Sequence, residues 1–191
     1  MKQKLFVIFL LIAQMTYAQT LVTNKWLNGN KRSEGYAING KEVGKWMYWE
    51  KNGQKIAEGE FKDGIKVGLW KYWFDNGQLM SECYEENGPF KSWHANGNRE
   101  SVGNKKDRKK DGEWKFWYKN DTLSKICTYV DDKIEGLVKE YHDNGQLMFV
   151  GNYLNDKLEG YATWWFKNGN KEMEGKTSND LQDSVWIYYH E

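Results

Sequence analysis

The sequence predicts an all-β fold: an elongated single-layer antiparallel meander of about seven stacked 24-residue β-hairpin repeats. Three observations predict it. The first is a turn dipeptide that returns along the chain as Asn28-Gly29, Asn52-Gly53, Asn76-Gly77, Asn96-Gly97, Asn120-Asp121, Asn144-Gly145 and Asn168-Gly169. Five of the six intervals are 24 residues and one is 20. A fixed period of this size marks an array in which each copy buries itself against its neighbours. The second is another turn signal eleven residues after the first, at Asn39-Gly40, Asp63-Gly64, Asn87-Gly88, Asp107-Arg108, Asp131-Asp132, Asn155-Asp156 and Asn179-Asp180. Asn-Gly and Asp-Gly supply the positive φ of type I′ hairpin turns, so both signals together imply strand, turn, strand, turn throughout. The third is composition: 19 glycines, one proline and 16% aromatics suit short strands and tight turns and argue against disorder.

The elements follow in order. Residues 1–18 read as a secretory signal: Lys2 and Lys4, an apolar run from Leu5 to Ala13, then Thr16-Tyr17-Ala18 before Gln19. Cleavage near Ala18 predicts a secreted or periplasmic protein whose mature part, residues 19–191, is the repeat array. The apolar run is short for a bilayer span. The chain carries 28 basic and 27 acidic residues, and without Lys2 and Lys4 the balance is 26 against 27. That excludes nucleic acid as the expected partner, because neutralising a phosphate backbone needs a clear basic excess.

Counting from each main-turn Asn as position zero turns the repeats into columns. Position 21 is aromatic in every copy: Trp49, Trp73, Trp93, Trp117, Tyr141, Trp165 and Tyr189. Position 18 is Trp46, Trp70, Phe90, Trp114, Val138, Ala162 and Trp186, and position 7 admits only Gly35, Gly59, Cys83, Gly103, Cys127, Gly151 and Gly175. Position 16 is Gly44, Gly68, Gly112, Gly136, Gly160 and Ser184, and is missing from the third repeat. A two-residue main turn sets position 18 opposite position 7 of the next repeat, so Trp46 faces Gly59, Trp70 faces Cys83 and Trp114 faces Cys127, each ring covering the small residue it faces. A three-residue turn would shift this register by one.

The run Asn52-Gly53-Gln54, Glu58-Gly59-Glu60-Phe61-Lys62-Asp63-Gly64 and Gly68-Leu69-Trp70-Lys71-Tyr72-Trp73 resembles the MORN-repeat variant of bacterial YwqK-type proteins. The resemblance covers residues 24 to 191. It implies an extended sheet of stacked hairpins that acts as an interaction scaffold, with an antitoxin-like role in a toxin–antitoxin context. The third repeat lacks four positions, and Pro89, the one proline, follows its Asn87-Gly88 turn. Its outgoing strand is therefore expected to be short, with Pro89 at the strand's start.

The repeat period also acts as a ruler for chemistry. His94, His142 and His190 share a column two repeats apart, about 19 Å at the usual strand spacing, too far to ligate one metal. Cys83 and Cys127 are separated in the same way, so two unpaired cysteines are expected despite the predicted export. Neither a nucleophilic triad nor a phosphate-binding glycine loop stands out, so no enzyme activity, cofactor or metal is expected. The basic residues Lys105, Lys106, Arg108, Lys109 and Lys110 fall at a hairpin tip and are the candidate contact for an anion or an acidic membrane surface. The position-21 aromatics are the candidate packing or binding column. The leading expectation is an exported, non-enzymatic scaffold for a protein partner; an antitoxin-like binder and a glycan or cell-wall binder using the aromatic columns are the alternatives.

Overall fold

A computed structural model describes residues 18–191. The predicted signal segment lies almost wholly outside the described residues. The chain forms β1 (Thr20–Lys25), β2 (Lys31–Ile38), β3 (Lys41–Trp49), β4 (Lys55–Lys62), β5 (Ile65–Trp73), β6 (Leu79–Tyr84), β7 (Gly88–Trp93) and β8 (Arg99–Lys106). It continues through β9 (Lys109–Trp117), β10 (Leu123–Val130), β11 (Lys133–Tyr141), β12 (Leu147–Leu154), β13 (Lys157–Trp165), β14 (Lys171–Ser178), β15 (Leu181–Gln182) and β16 (Ile187–Tyr188). Strands β1 to β15 pair in sequence order in one antiparallel sheet, and β16 joins β15 in pairing with β14. The expected meander of hairpin repeats is the fold. As expected, β7 is short, six residues against nine in β3 and β5, with Pro89 as its second residue.

The two kinds of turn differ in a way the dipeptides conceal. The secondary turns are two-residue type I′ except in the third repeat: Asn39 and Gly40, Asp131 and Asp132, and Asn155 and Asp156 all have positive φ, whereas Asn87 does not and Gly88, at φ 135, already belongs to β7. The main turns are not. Only their second residue has positive φ, and Trp26 exchanges bonds with Asn30 and Gly29, which closes a three-residue loop. The expected register nevertheless stands, with Trp46 opposite Gly59, Trp70 opposite Cys83 and Trp114 opposite Cys127. It survives because a one-residue bulge follows each main turn. Trp49 pairs with Lys55 and Tyr48 with Ala57, leaving Ile56 as an extra residue that cancels the longer loop.

The main-turn asparagines stitch the repeats together along one edge. Each Oδ1 accepts from the backbone two residues on, as Asn52 does from Gln54. Nδ2 of Asn28, Asn96, Asn120 and Asn144 donates to a carbonyl of the next main turn, at Lys51, Lys119, Asp143 and Lys167. On the other edge the β11–β12 ladder stops at Gly136–Tyr153, and the free groups of Ile134 are met by the next turn. The Asp156 amide donates to the Ile134 carbonyl at 3.0 Å and the Ile134 amide to Asp156 Oδ1 at 2.6 Å. Asp156→Ala is expected to lose about 1–2 kcal/mol through the missing acceptor and the poorer tolerance of alanine for positive φ, whereas Asp156→Asn stays within about 0.5 kcal/mol. Urea midpoints measure the difference.

The core is a single row of side chains lying flat on one face. Trp70 is 0% exposed and Trp114 1%. Each ring covers a glycine, but that of its own hairpin: Trp46 lies over Gly35, Trp70 over Gly59 and Trp114 over Gly103. This corrects the expectation that the ring lies on the residue it pairs with. The cause is a second bulge within most hairpins: in the first, Gly35 alone stands between the pairs Glu34–Met47 and Tyr36–Val43 while β3 supplies three residues. Gly44, at φ 64, opens that bulge, and Trp46 is turned back across β2. Its indole N–H then donates to the Tyr36 carbonyl at 3.0 Å, and Trp70 and Trp114 repeat this bond to Glu60 and Asn104. The two glycine columns therefore have separate causes: position 16 needs positive φ, and position 7 must lack a Cβ. In the third repeat, which lacks the position-16 glycine, β6 and β7 pair with no bulge.

Volumes balance within each hairpin. Where the large partner shrinks to Phe90 or Val138, the small position grows to Cys83 or Cys127. Where both are small, at Gly151 and Ala162, Phe149 and Leu158 fill the space. Both cysteines are free and buried, as expected from the ruler, and burial pushes their thiols above the ordinary value.

Candidate functional site

The position-21 rings project from the face opposite the Trp core and are half-buried, except for the exposed Tyr189. They are thus a second aromatic column, distinct from the buried one at position 18. Position 3 decides what covers each ring. Lys55 Nζ stands 4.0 Å from the Trp73 centroid, the Arg99 guanidinium 4.7 Å from Trp117, Lys31 5.7 Å from Trp49 and Lys171 6.0 Å from Tyr189. Three of these cations also bond a carboxylate at position 6: Lys31 with Glu34, Lys55 with Glu58 and Lys171 with Glu174. The hydrogen bond from Lys31 holds Glu34 below the usual carboxylate range, and that from Lys171 does the same for Glu174.

The fifth and sixth repeats break this pattern on both positions at once. Leu123 and Ile126, then Leu147 and Val150, replace the cation and carboxylate. Tyr141 pairs directly with Leu147, and Leu123 with Trp117. Ile126, Lys139, Val150 and Thr163 form one row across four strands of this face. Beside that row Leu137 is 48% exposed and Tyr161 60%. Elsewhere the same face is laced by ion pairs such as Lys71–Glu82 at 2.9 Å. A largely apolar patch therefore occupies the fifth and sixth repeats, crossed by the exposed Lys139 and bordered by charge. Its position-21 members, Tyr141 and Trp165, were legible as aromatics, but the patch itself depends on columns 3, 6 and 17 changing together.

The basic run does not form a single anion site. Lys105 and Lys110 are cross-strand partners on the core face, with ammonium groups over Phe90 at 5.2 Å and Trp114 at 4.9 Å. Lys106, Arg108 and Lys109 are exposed at the tip. There Arg108 approaches Glu86 of the preceding hairpin at 3.8 Å and Lys109 approaches Asp131 of the following one at 3.7 Å. Acidic tips on both sides dilute the positive field.

Two of the column histidines act as stitches. His94 Nε2 lies 2.9 Å from the Trp117 carbonyl and His142 Nε2 2.7 Å from that of Trp165, the same contact that the Trp26 indole and Tyr118 hydroxyl make one repeat ahead. Trp93, the remaining position-21 ring, pairs with Arg99 across the fourth main turn.

Three segments of the chain, residues 66–84, 110–131 and 134–155, match the MORN repeat variant. No curated protein matches it. The second and third segments cover β10, β11 apart from Lys133, and β12, three of the four strands that carry the apolar patch.

Proposed function

We propose, from the three segments that match the MORN repeat variant, that the chain is a non-enzymatic scaffold that binds another protein through the patch on its fifth and sixth repeats. The observation that carries this reading is the joint replacement of cation and carboxylate by Leu123–Ile126 and Leu147–Val150 in two adjacent repeats, whereas Leu79 in the third repeat and Val102 in the fourth replace only one of the two. Apolar surface rimmed by charge is what a protein interface needs: desolvated anchors at the centre and a polar border that fixes register. Glycan stacking is the less favoured use of the aromatic column, because cations already stand over Trp49, Trp73 and Trp117. Export after cleavage near Ala18 places the partner in the cell envelope or outside the cell. The antitoxin-like role of YwqK-type proteins is a special case in which that partner is a toxin.

The test is crosslinking capture from envelope extract with wild type and with the double variant Leu147→Lys, Val150→Glu. The variant copies the Lys31–Glu34 arrangement of the first repeat, so its melting temperature is expected to match wild type. Partner retention is expected to fall by at least about tenfold, the loss of two central anchors. Equal capture by both proteins, or no retained polypeptide with either, overturns the reading.

A further inference from the structure

One row on the core face runs Ala57, Tyr72, Ser81, Ser92, Ser101 and Phe116 through successive cross-strand pairs. Position 20 is aromatic in the flanking repeats, at Tyr72 and Phe116, and is Ser92 in the third. Three adjacent serines thus stand where a ring is missing, between the two buried clusters built on Trp70 and Trp114, which only Phe90 touches in common. The result is a depression with Met80 and Phe116 among its walls and Phe90 and Trp114 at one end. Its floor is already satisfied, since Ser92 and Ser101 hydroxyls bond each other at 2.7 Å.

The charges around the depression are polarised. Lys105 and Lys110 lie at the end toward the secondary turn, their ammonium groups over rings, and among the described residues neither makes an ion pair. Glu100 lies at the other end, 3.8 Å from His94. A ligand that fits places a flat ring over the serines, an anionic group against the lysines and a hydrogen-bond donor toward Glu100. A tyrosine side chain beside an acidic residue has all three.

We propose that this depression is an anchor site for an acidic-tyrosine segment of a partner polypeptide, the tyrosine ring filling the gap at Ser92 and the neighbouring carboxylate meeting Lys105 and Lys110. The inference rests on the protein being a polypeptide binder, but its test needs no natural partner. Titration of isotope-labelled protein with acetyl-Asp-Tyr-amide is expected to shift the amides of Ser81, Ser92 and Ser101 and the Trp114 indole at millimolar peptide. Acetyl-Asn-Tyr-amide is expected to bind about tenfold more weakly, the worth of one charge-assisted bond, and acetyl-Asp-Ala-amide not measurably. Ser92→Tyr, which repeats the residue at Tyr72, is expected to keep the wild-type melting temperature and to lose the peptide; Lys105→Gln is expected to keep the fold and weaken the peptide as the neutral probe does. No shifts at these residues, or equal binding by Ser92→Tyr or of the three peptides, overturns the proposal. A depression that ignores the peptide leaves the patch on the opposite face to be judged by the Leu147→Lys, Val150→Glu capture alone.

Discussion

Trp70→Ala is expected to destabilise the protein by about 3–5 kcal/mol, the range for truncating a fully buried aromatic. Trp70 is 0% exposed although the sheet is a single layer. It achieves this by lying flat, with Gly59 beneath it, Phe61 edge-on at 5.2 Å, Tyr72 stacked at 6.1 Å and Lys66 Nζ 4.0 Å from its centroid. Removing the ring leaves the Glu60 carbonyl without its indole donor and leaves a gap that no second layer can collapse into. Trp186→Ala is the internal control. Trp186 covers Gly175 in the same way, but only β15 and β16 lie beyond it, and these are two residues each. Its loss is expected to be less than half as large, since a terminal repeat has a neighbour on one side only. Urea denaturation of both variants measures the ratio, and equal losses would contradict the nearest-neighbour account.

Gly59→Ala is expected to cost on the order of 3 kcal/mol, the upper end of overpacking penalties. The sign is opposite to the usual one for a strand glycine, where alanine is favoured by about 0.5–1 kcal/mol through backbone entropy. Gly59 has ordinary strand φ, so alanine meets no backbone strain there. What decides the outcome is the Trp70 ring, which occupies the space a Cβ needs. The chain contains the compensated alternative in Cys127 with Val138, both buried. Gly59→Cys is therefore expected to be as harmful as Gly59→Ala, and Trp70→Val to be harmful through the cavity it leaves. The double variant is expected to recover at least about 2 kcal/mol of the summed losses, a coupling that a double-mutant cycle reads directly. Additive losses would show that ring and glycine do not share one space.

The repeat, the strand order and the secondary turns were legible because each follows from local chemistry. Asp131-Asp132 and Asn155-Asp156 tolerate positive φ, and their spacing leaves room for one strand on each side. The cysteines were separable for the same reason, since period and strand spacing fix distance without side-chain detail. The main turn was misread because Asn-Gly is compatible with both two- and three-residue loops. The asparagine serves here through its side chain, which holds its own turn and, in most repeats, the next.

The candidate site was half legible. Tyr141 and Trp165 stood out as members of a column, but an aromatic column does not show which rings are covered. That depends on the residue that the bulge after the main turn brings over each ring: Lys55 over Trp73, and leucine in place of a cation at positions 123 and 147. The basic run is the converse case. Five residues adjacent in sequence are divided between the two faces and the tip by strand alternation, which separates Lys105 and Lys110 from Lys106 and Lys109.

By itself, then, the sequence determined a meander of hairpins, its register and the distances between like positions, because turns and period-two alternation are local properties of the chain. Tertiary structure alone decided which glycine each tryptophan covers, which face is core, and where apolar surface is left open. Those outcomes arise from two bulges in most repeats, and a bulge redirects side chains through pairings between strands that no single segment encodes.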